Sequence, residues 1–282
     1  MTNPIIERCQ KLVKQPIKTA VAISGGCICQ SYKITLEDGN HLFVKTHSNP
    51  PDQLFYSESE SLVTLSQHSP LRVPEVIAVN DKFLLLEYIS SSDSSPLFWT
   101  ELAQGLADMH KQKMPEFGFS MDNYCGETLQ SNATTPDGYD FFAEHRLIYQ
   151  MRLARESGLL NPDDCKQINN IAKNLKDYIP KQPAVLIHGD LWSGNVYRDE
   201  NGLPVLIDPA CYWGWREADI AMTTLFGKLP SAFYDTYNEC LPMKPGWEDR
   251  LELYNLYHLL NHLNMFGTSY LNSVRRVIKL YS

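Results

Sequence analysis

The stretch His188-Gly189-Asp190-Leu191-Trp192-Ser193-Gly194-Asn195 decides how the rest of this chain is read. An apolar run, Ala184-Val185-Leu186-Ile187, leads into it, so the stretch reads as a loop at the end of a buried strand. A second apolar run, Pro204-Val205-Leu206-Ile207, likewise ends on an acid, Asp208. Asp, Asn and Gly dominate turns for conformational reasons alone, so a lone His-Gly-Asp would signify only a bend. Agreement of Asp190, Asn195 and Asp208 on one spacing needs several coincidences at once, which a bend does not explain.

That order and spacing match the catalytic loop and metal-binding turn of kinases. Phosphoryl transfer from a nucleotide needs a carboxylate near the acceptor hydroxyl and oxygen ligands that hold Mg2+ against the phosphates. Asp190 suits the first task, and Asn195 and Asp208 the second. A lysine is also needed near the phosphates, and Lys45 ends a predicted strand, His41-Leu42-Phe43-Val44-Lys45. That strand pairs with Tyr32-Lys33-Ile34-Thr35-Leu36 through Glu37-Asp38-Gly39-Asn40, where Asp-Gly between apolar runs signals a hairpin. Pro50 and Pro51 break the pattern, and Asp52 is expected to cap a helix reaching about Gln67. On that helix Glu58 falls within the stripe of Leu54, Ser61, Leu62 and Leu65, whereas Glu60 points almost oppositely. A carboxylate inside an apolar stripe is unfavourable unless paired, so Glu58 is expected to hold Lys45.

Ser24-Gly25-Gly26-Cys27-Ile28-Cys29-Gln30 sits between two predicted strands, where Gly25 and Gly26 would let backbone amides approach phosphates closely. The loop is neither Gly-x-Gly-x-x-Gly nor a Walker loop. Cys27 reads either as a small buried hydrophobe or as an exposed thiol able to oxidise and obstruct a nucleotide. Trp192 reads either as a platform for a sugar face or as a core anchor between lobes. His258 and His262 lie four apart with no third ligand evident, so core packing is expected of both.

The remaining pattern divides the chain. Short β-segments and one helix run to a strand Lys82–Leu86 continuing into Glu87-Tyr88-Ile89; Ser90-Ser91-Ser92-Asp93-Ser94-Ser95-Pro96 then reads as a flexible linker. Beyond it, three-to-four-residue apolar spacing predicts helices over 97–113, 139–157, 162–178, 217–226, 231–240 and 247–270. One β-island, carrying the two strands named first, interrupts them. The fold expected is therefore α+β and bilobal, protein-kinase-like: a small antiparallel-sheet lobe over 1–89, a hinge over 90–96 and a mainly helical lobe over 97–282.

Composition bounds the partners. A chain of 282 residues, 43% hydrophobic and 21% charged, suffices for two lobes. Its formal charge of -8 would repel a nucleic-acid backbone and should not help binding to anionic lipid. No apolar run is long enough to span a membrane, and the N-terminus lacks the pattern of a signal peptide. Seven cysteines without a Cys-x-x-Cys pair argue against a disulfide framework or zinc cage, and a cytoplasmic location is expected.

The string from His188 to Asn195, with Ile207-Asp208-Pro209-Ala210-Cys211-Tyr212-Trp213-Gly214 and Glu217-Ala218-Asp219-Ile220-Ala221, resembles the fructosamine kinase (ketosamine-3-kinase) family. The likeness extends through Ser24–Ile28, Val44-Lys45, Glu58, Phe141–Arg146 and Leu260-Asn261-His262. Aminoglycoside and choline kinases share the plan but usually lack the Leu-Trp-Ser-Gly run. The resemblance implies ATP-dependent phosphorylation of the sugar 3-hydroxyl of ketosamines, free or on protein lysines, which promotes deglycation. By matching position it makes Asp190 the base, Asn195 and Asp208 the Mg2+ ligands, Lys45 and Glu58 the phosphate-positioning pair, and Trp192 part of the sugar site. The backbone near Glu87 and Ile89 would hold adenine. Cys29 stands where relatives commonly carry a small polar residue, and the segment before Phe141 varies in length among them. The alternatives are a kinase for another hydroxyl compound, or a pseudokinase that binds nucleotide without turnover. The sequence sets neither the preferred ketosamine nor the oligomeric state.

Overall fold

The computed structural model describes residues 4–23, 29–93 and 95–281. A short helix, α1 (Pro4–Gln10), precedes a five-stranded antiparallel sheet. Its strands are β1 (Ile17–Ile23), β2 (Gln30–Leu36), β3 (His41–Thr46), β4 (Val76–Asn80) and β5 (Phe83–Glu87), in the order β1-β2-β3-β5-β4. The β2–β3 hairpin turns where Asp38-Gly39 foretold: Gly39 takes φ +88°, and the Asp38 carboxylate accepts the Asn40 amide at 2.9 Å.

Side chains alternate across a strand, and this alternation sets the two faces of the sheet. Ile34, Leu36, Val44, Phe83 and Leu85 pack on one side with Cys9 of α1. Lys45 therefore points to the other side, where its cross-strand partner Leu84 joins Leu62 and Leu65 of α2 (Leu54–His68). Sheet register alone thus delivers a lysine to the helix that carries Glu58.

Asp52 does not cap α2. Gln53 occupies the N-cap in a left-handed conformation (φ 59°) with no side-chain cap, which sets Asp52 one residue too far back. The Leu54 amide is satisfied instead by the Pro51 carbonyl, at 3.3 Å. Nor is the serine-rich connection loose where it is described: the Ser92 amide donates to Asp199 O and the Ser95 amide to Gly202 O, both at 3.1 Å. These bonds tie it to the hairpin of Val196–Arg198 with Pro204–Leu206.

The rest of the chain is mainly helical, around the larger of the two apolar cores found among the described residues. Ala184–Ile187 is fully buried and pairs antiparallel with Tyr212–Gly214 on one side and Lys113–Met114 on the other. The helices expected over 217–226 and 231–240 are found as Arg216–Leu225 and Ser231–Cys240. The one expected over 139–157 contains a π turn, Ala143–Ile148, and that over 162–178 breaks at Asn174. The hairpin Asn123–Cys125 with Thr128–Gln130 was not foreseen, since strands of three residues are too short to show alternation. A last helix, Leu271–Leu280, was also missed; it follows a 3-10 turn, Gly267–Tyr270, that ends the regular spacing of Trp247–Phe266. No helix among the described residues is long and apolar enough to cross a membrane.

Candidate active site

The Lys45 ammonium lies 2.6 Å from Glu58 Oε1 and 2.6 Å from Asp208 Oδ1. The Glu58 contact was expected; the contact with Asp208 was not, because sequence offers no distance across 163 residues. Burial by itself would strip the proton from Lys45, but the carboxylates of Asp208 and Glu58 outweigh it and raise its pKa. The cation is therefore fixed. Asp208 sits just past the strand Pro204–Leu206 with φ +54°, a left-handed conformation that Asp tolerates better than most residues.

The second half of the site is built on the loop after Ala184–Ile187. The Asn195 side-chain amide donates to the Asp190 carbonyl at 2.8 Å and to Asp190 Oδ2 at 3.0 Å. A longer contact, 3.5 Å, runs to the carbonyl of Asp208. Asn195 thus bridges the two acids. Burial pushes the Asp190 carboxyl up to about 7; the Asn195 bond pulls it back, and the charges of Asp208 and Asp219 push it further. No cation is among the groups that set it.

What holds the loop is Asp219, on the helix Arg216–Leu225 and completely buried. It accepts the His188 amide at 2.7 Å and the Gly189 amide at 2.9 Å, and lies 3.4 Å from His110 Nε2. Burial would raise its carboxyl, but the hydrogen bond and charge of His110 dominate with the other partners, and its pKa is lowered. Gly189 adopts φ +81°, and a side chain there would run into the Ala210 carbonyl. A ring nitrogen of His188 lies 3.0 Å from the Ile207 carbonyl, joining this loop to the strand before Asp208. Beneath it, Arg250 donates two bonds to buried Glu217, at 2.8 and 2.7 Å, and so locks Arg216–Leu225 to Trp247–Phe266.

Sequence reasoning gave Asp219 no role. The available signal was a carboxylate flanked by Ile220, Ala221 and Met222, the same anomaly that identified Glu58. Trp192 is partly exposed and meets Phe226 edge-on at 5.5 Å; Phe226 in turn meets His262 at 5.1 Å. Its ring partner belongs to the helical part, so the reading of Trp192 as an anchor between lobes is not what the structure holds. His262 bonds through Nδ1 to the His258 carbonyl at 2.7 Å and joins an aromatic wall with Phe266 and Tyr270. His258 is buried as expected, yet it has ligand-type neighbours after all: its ring reaches toward Cys125 and Asp190.

At the edge of the sheet the Glu87 carboxylate is taken by Arg72 at 2.5 Å, and its backbone amide donates to the Glu75 carbonyl at 2.9 Å. Arg72 also meets Glu200 at 3.0 Å and Asp199 at 3.3 Å. Ile89 is buried just beyond β5. Gly25, Gly26 and Cys27 lie outside the described residues. Burial raises the neighbouring Cys29 thiol to about 11, so it is a poor nucleophile at neutral pH.

An antiparallel sheet that presents a carboxylate-held lysine to a loop Asp, an Asn and a strand-terminal Asp defines a phosphotransferase of the kinase type. Within that class the chain belongs to the fructosamine kinase family, whose sequence pattern matches residues 1–281. It is 39% identical over 283 residues to a Synechocystis sp. protein named "Probable ketoamine kinase", covering 98% of this chain and 95% of that protein. It is 36% identical to the chloroplastic protein-ribulosamine 3-kinase of Oryza sativa subsp. japonica, covering 92% and 78%. Among solved structures, a Thermobifida fusca protein assigned as a fructosamine-3-kinase superposes with a TM-score of 0.91 at 31% identity, over 100% of this chain and 99% of that one. The aminoglycoside phosphotransferase APH(2")-IIa, solved with streptomycin and ATP, shares the fold at a TM-score of 0.68 and 17% identity, over 99% and 97%.

Proposed function

We propose that the chain transfers the terminal phosphoryl group of ATP to the sugar 3-hydroxyl of ketosamines, free or attached to protein lysines, and so promotes deglycation. The observation that carries this reading is the continuous set of contacts from Glu58 through Lys45, Asp208 and Asn195 to Asp190. The names of the ketoamine and ribulosamine kinase relatives support the acceptor class.

Asp190 is the base in this proposal. A carboxyl with a pKa of about 7 is half ionised at neutral pH and more basic than an ordinary one, so it can accept the acceptor hydroxyl's proton as the new P–O bond forms. Asn195 steers it. Because the amide nitrogen is committed to Asp190, the Asn195 side-chain oxygen is the atom left to face a cation, and Asp208 retains the oxygen not held by Lys45. These hard oxygen donors fit Mg2+, which when bound neutralises phosphate charge. Lys45, steadied by Glu58, faces the phosphates. The Glu87 and Ile89 backbone, beside a hinge over 90–96, contacts adenine, and Trp192 offers a ring to the sugar. The six free cysteines among the described residues support a reducing compartment such as the cytoplasm.

The test is ADP release from Mg-ATP across a panel of fructosamines, ribulosamines, aminoglycosides and choline. Turnover confined to the ketosamines is the expected result. No turnover with any ketosamine would contradict the proposal, and turnover with another class would redirect it.

A further inference from the structure

Cys125, Asp190 and His258 each contribute one donor atom to a cluster in which all three atoms lie within 4.8 Å of one another. They come from three separate elements: Cys125 ends the strand Asn123–Cys125, Asp190 lies in the loop after Ala184–Ile187, and His258 is in Trp247–Phe266. Cys125 and His258 are almost completely buried, and the arrangement is anchored by the Asn261 side chain donating to the Cys125 carbonyl at 3.0 Å. His258 Nδ1 is buried with no hydrogen-bond partner, an unfavourable state for a polar atom. Nothing in the phosphoryl-transfer scheme uses either Cys125 or that imidazole.

We propose that Cys125, Asp190 and His258 form a binding site for a divalent cation of the Zn2+ class, and that its occupation withdraws Asp190 from the acceptor hydroxyl. The donor set selects the ion. One sulfur, one nitrogen and one carboxylate oxygen suit Zn2+, whereas Mg2+ prefers oxygen ligands alone. Tetrahedral coordination at about 2.0–2.3 Å places donors roughly 3.3–3.8 Å apart, so the cluster needs to close by no more than about 1–1.5 Å on binding. Burial holds the Cys125 thiol protonated and the His258 imidazole neutral in the free protein. Binding the ion forms one bond each to sulfur, nitrogen and oxygen, displaces water from its hydration shell and releases to solvent the thiol proton together with the proton of any Asp190 carboxyl still protonated. Three protein ligands leave the fourth position to water. With Asp190 serving as a metal ligand, its carboxylate is no longer free to take the substrate proton, and the enzyme is inhibited.

The metal-binding part stands apart from the proposed activity and is tested without it. Co2+ added to the full-length protein should give the near-ultraviolet charge-transfer band of a thiolate ligand, at one ion per chain and displaced by Zn2+. Cys125→Ser should abolish the band, His258→Asn should shift or abolish it, and Zn2+ affinity should fall at least about tenfold in each, since loss even of a ligand's supporting hydrogen bond costs 10–100-fold. Cys27→Ala should leave the band unchanged. A band that survives in Cys125→Ser, or no band in the wild type, overturns the site. Should either variant melt early, a Zn2+-soaked wild-type crystal decides: an anomalous peak among the three side chains supports the site, and its absence overturns it. With a ketosamine acceptor, Zn2+ inhibition should shift to at least about tenfold higher concentration in Cys125→Ser. Equal inhibition of both would refute the inhibitory role while leaving the bound ion to the cobalt spectrum.

Discussion

The two acids of the site live under opposite rules. Asp208 and Asp190 are both half-buried, but Asp208 is bonded to the Lys45 ammonium at 2.6 Å, whereas Asp190 is bonded to the neutral Asn195 amide and its carboxyl is lifted to about 7. One carboxylate faces a cation, and the other has no cation among the groups that set its pKa. Around Lys45 the cation has two carboxylate partners, while near Asp190 a buried His258 nitrogen has no hydrogen-bond partner. Under the proposed function the difference is a division of labour, in which the paired charges position and the carboxyl with the raised pKa takes the proton.

The largest effect expected is from Asp190→Asn, which should lower turnover by about 10²- to 10⁴-fold with Mg-ATP binding retained, measured by steady-state rates and calorimetry. The same substitution removes a charge that burial disfavours, so the melting temperature at pH 8 should rise. A fall in both activity and stability would break the contrast between the acids. Next is Lys45→Met, which leaves Glu58 buried without its cation and should cost about 3 kcal/mol in denaturant unfolding. Adding Glu58→Leu should recover most of that loss; a strictly additive double variant would contradict the coupling seen at 2.6 Å.

A smaller effect concerns pH. The folded Asp219 carboxyl lies below its ordinary value, so the unfolded chain binds its proton first as the solution is acidified. Its contribution is full above the ordinary carboxylate range and is lost as pH falls through the folded value. The slope of stability with pH below about 4 should accordingly flatten in Asp219→Asn. An unchanged slope would remove Asp219 as the anchor of the loop. The smallest effect belongs to Trp192→Leu. Loss of one aromatic face is worth about 0.5–1.5 kcal/mol, so KM for the acceptor should rise a few-fold with KM for ATP unmoved.

Much of this was legible in the sequence where a local rule sufficed. The β2–β3 hairpin followed from Asp-Gly between apolar runs, and the Lys45–Glu58 contact from a carboxylate misplaced in an apolar stripe. What escaped reading depended on distance across the chain. Lys45 meets Asp208, and Cys125 meets His258, only because the fold brings remote segments together, and no periodicity encodes that. Asp52 was misjudged as a cap because the left-handed turn at Gln53 is a tertiary outcome. Asp219 had the same local signal as Glu58, but without a basic residue to pair with it the signal did not name a purpose.

The most direct measurement is the product itself. The protein, Mg-ATP and a fructosamine should give ADP and one sugar phosphate in equal amounts, with phosphorus–carbon coupling in the NMR spectrum placing the phosphate on O3, and Asp190→Asn should form it at least about a hundredfold more slowly. Phosphate on a different hydroxyl, or an undiminished rate in Asp190→Asn, would contradict the account.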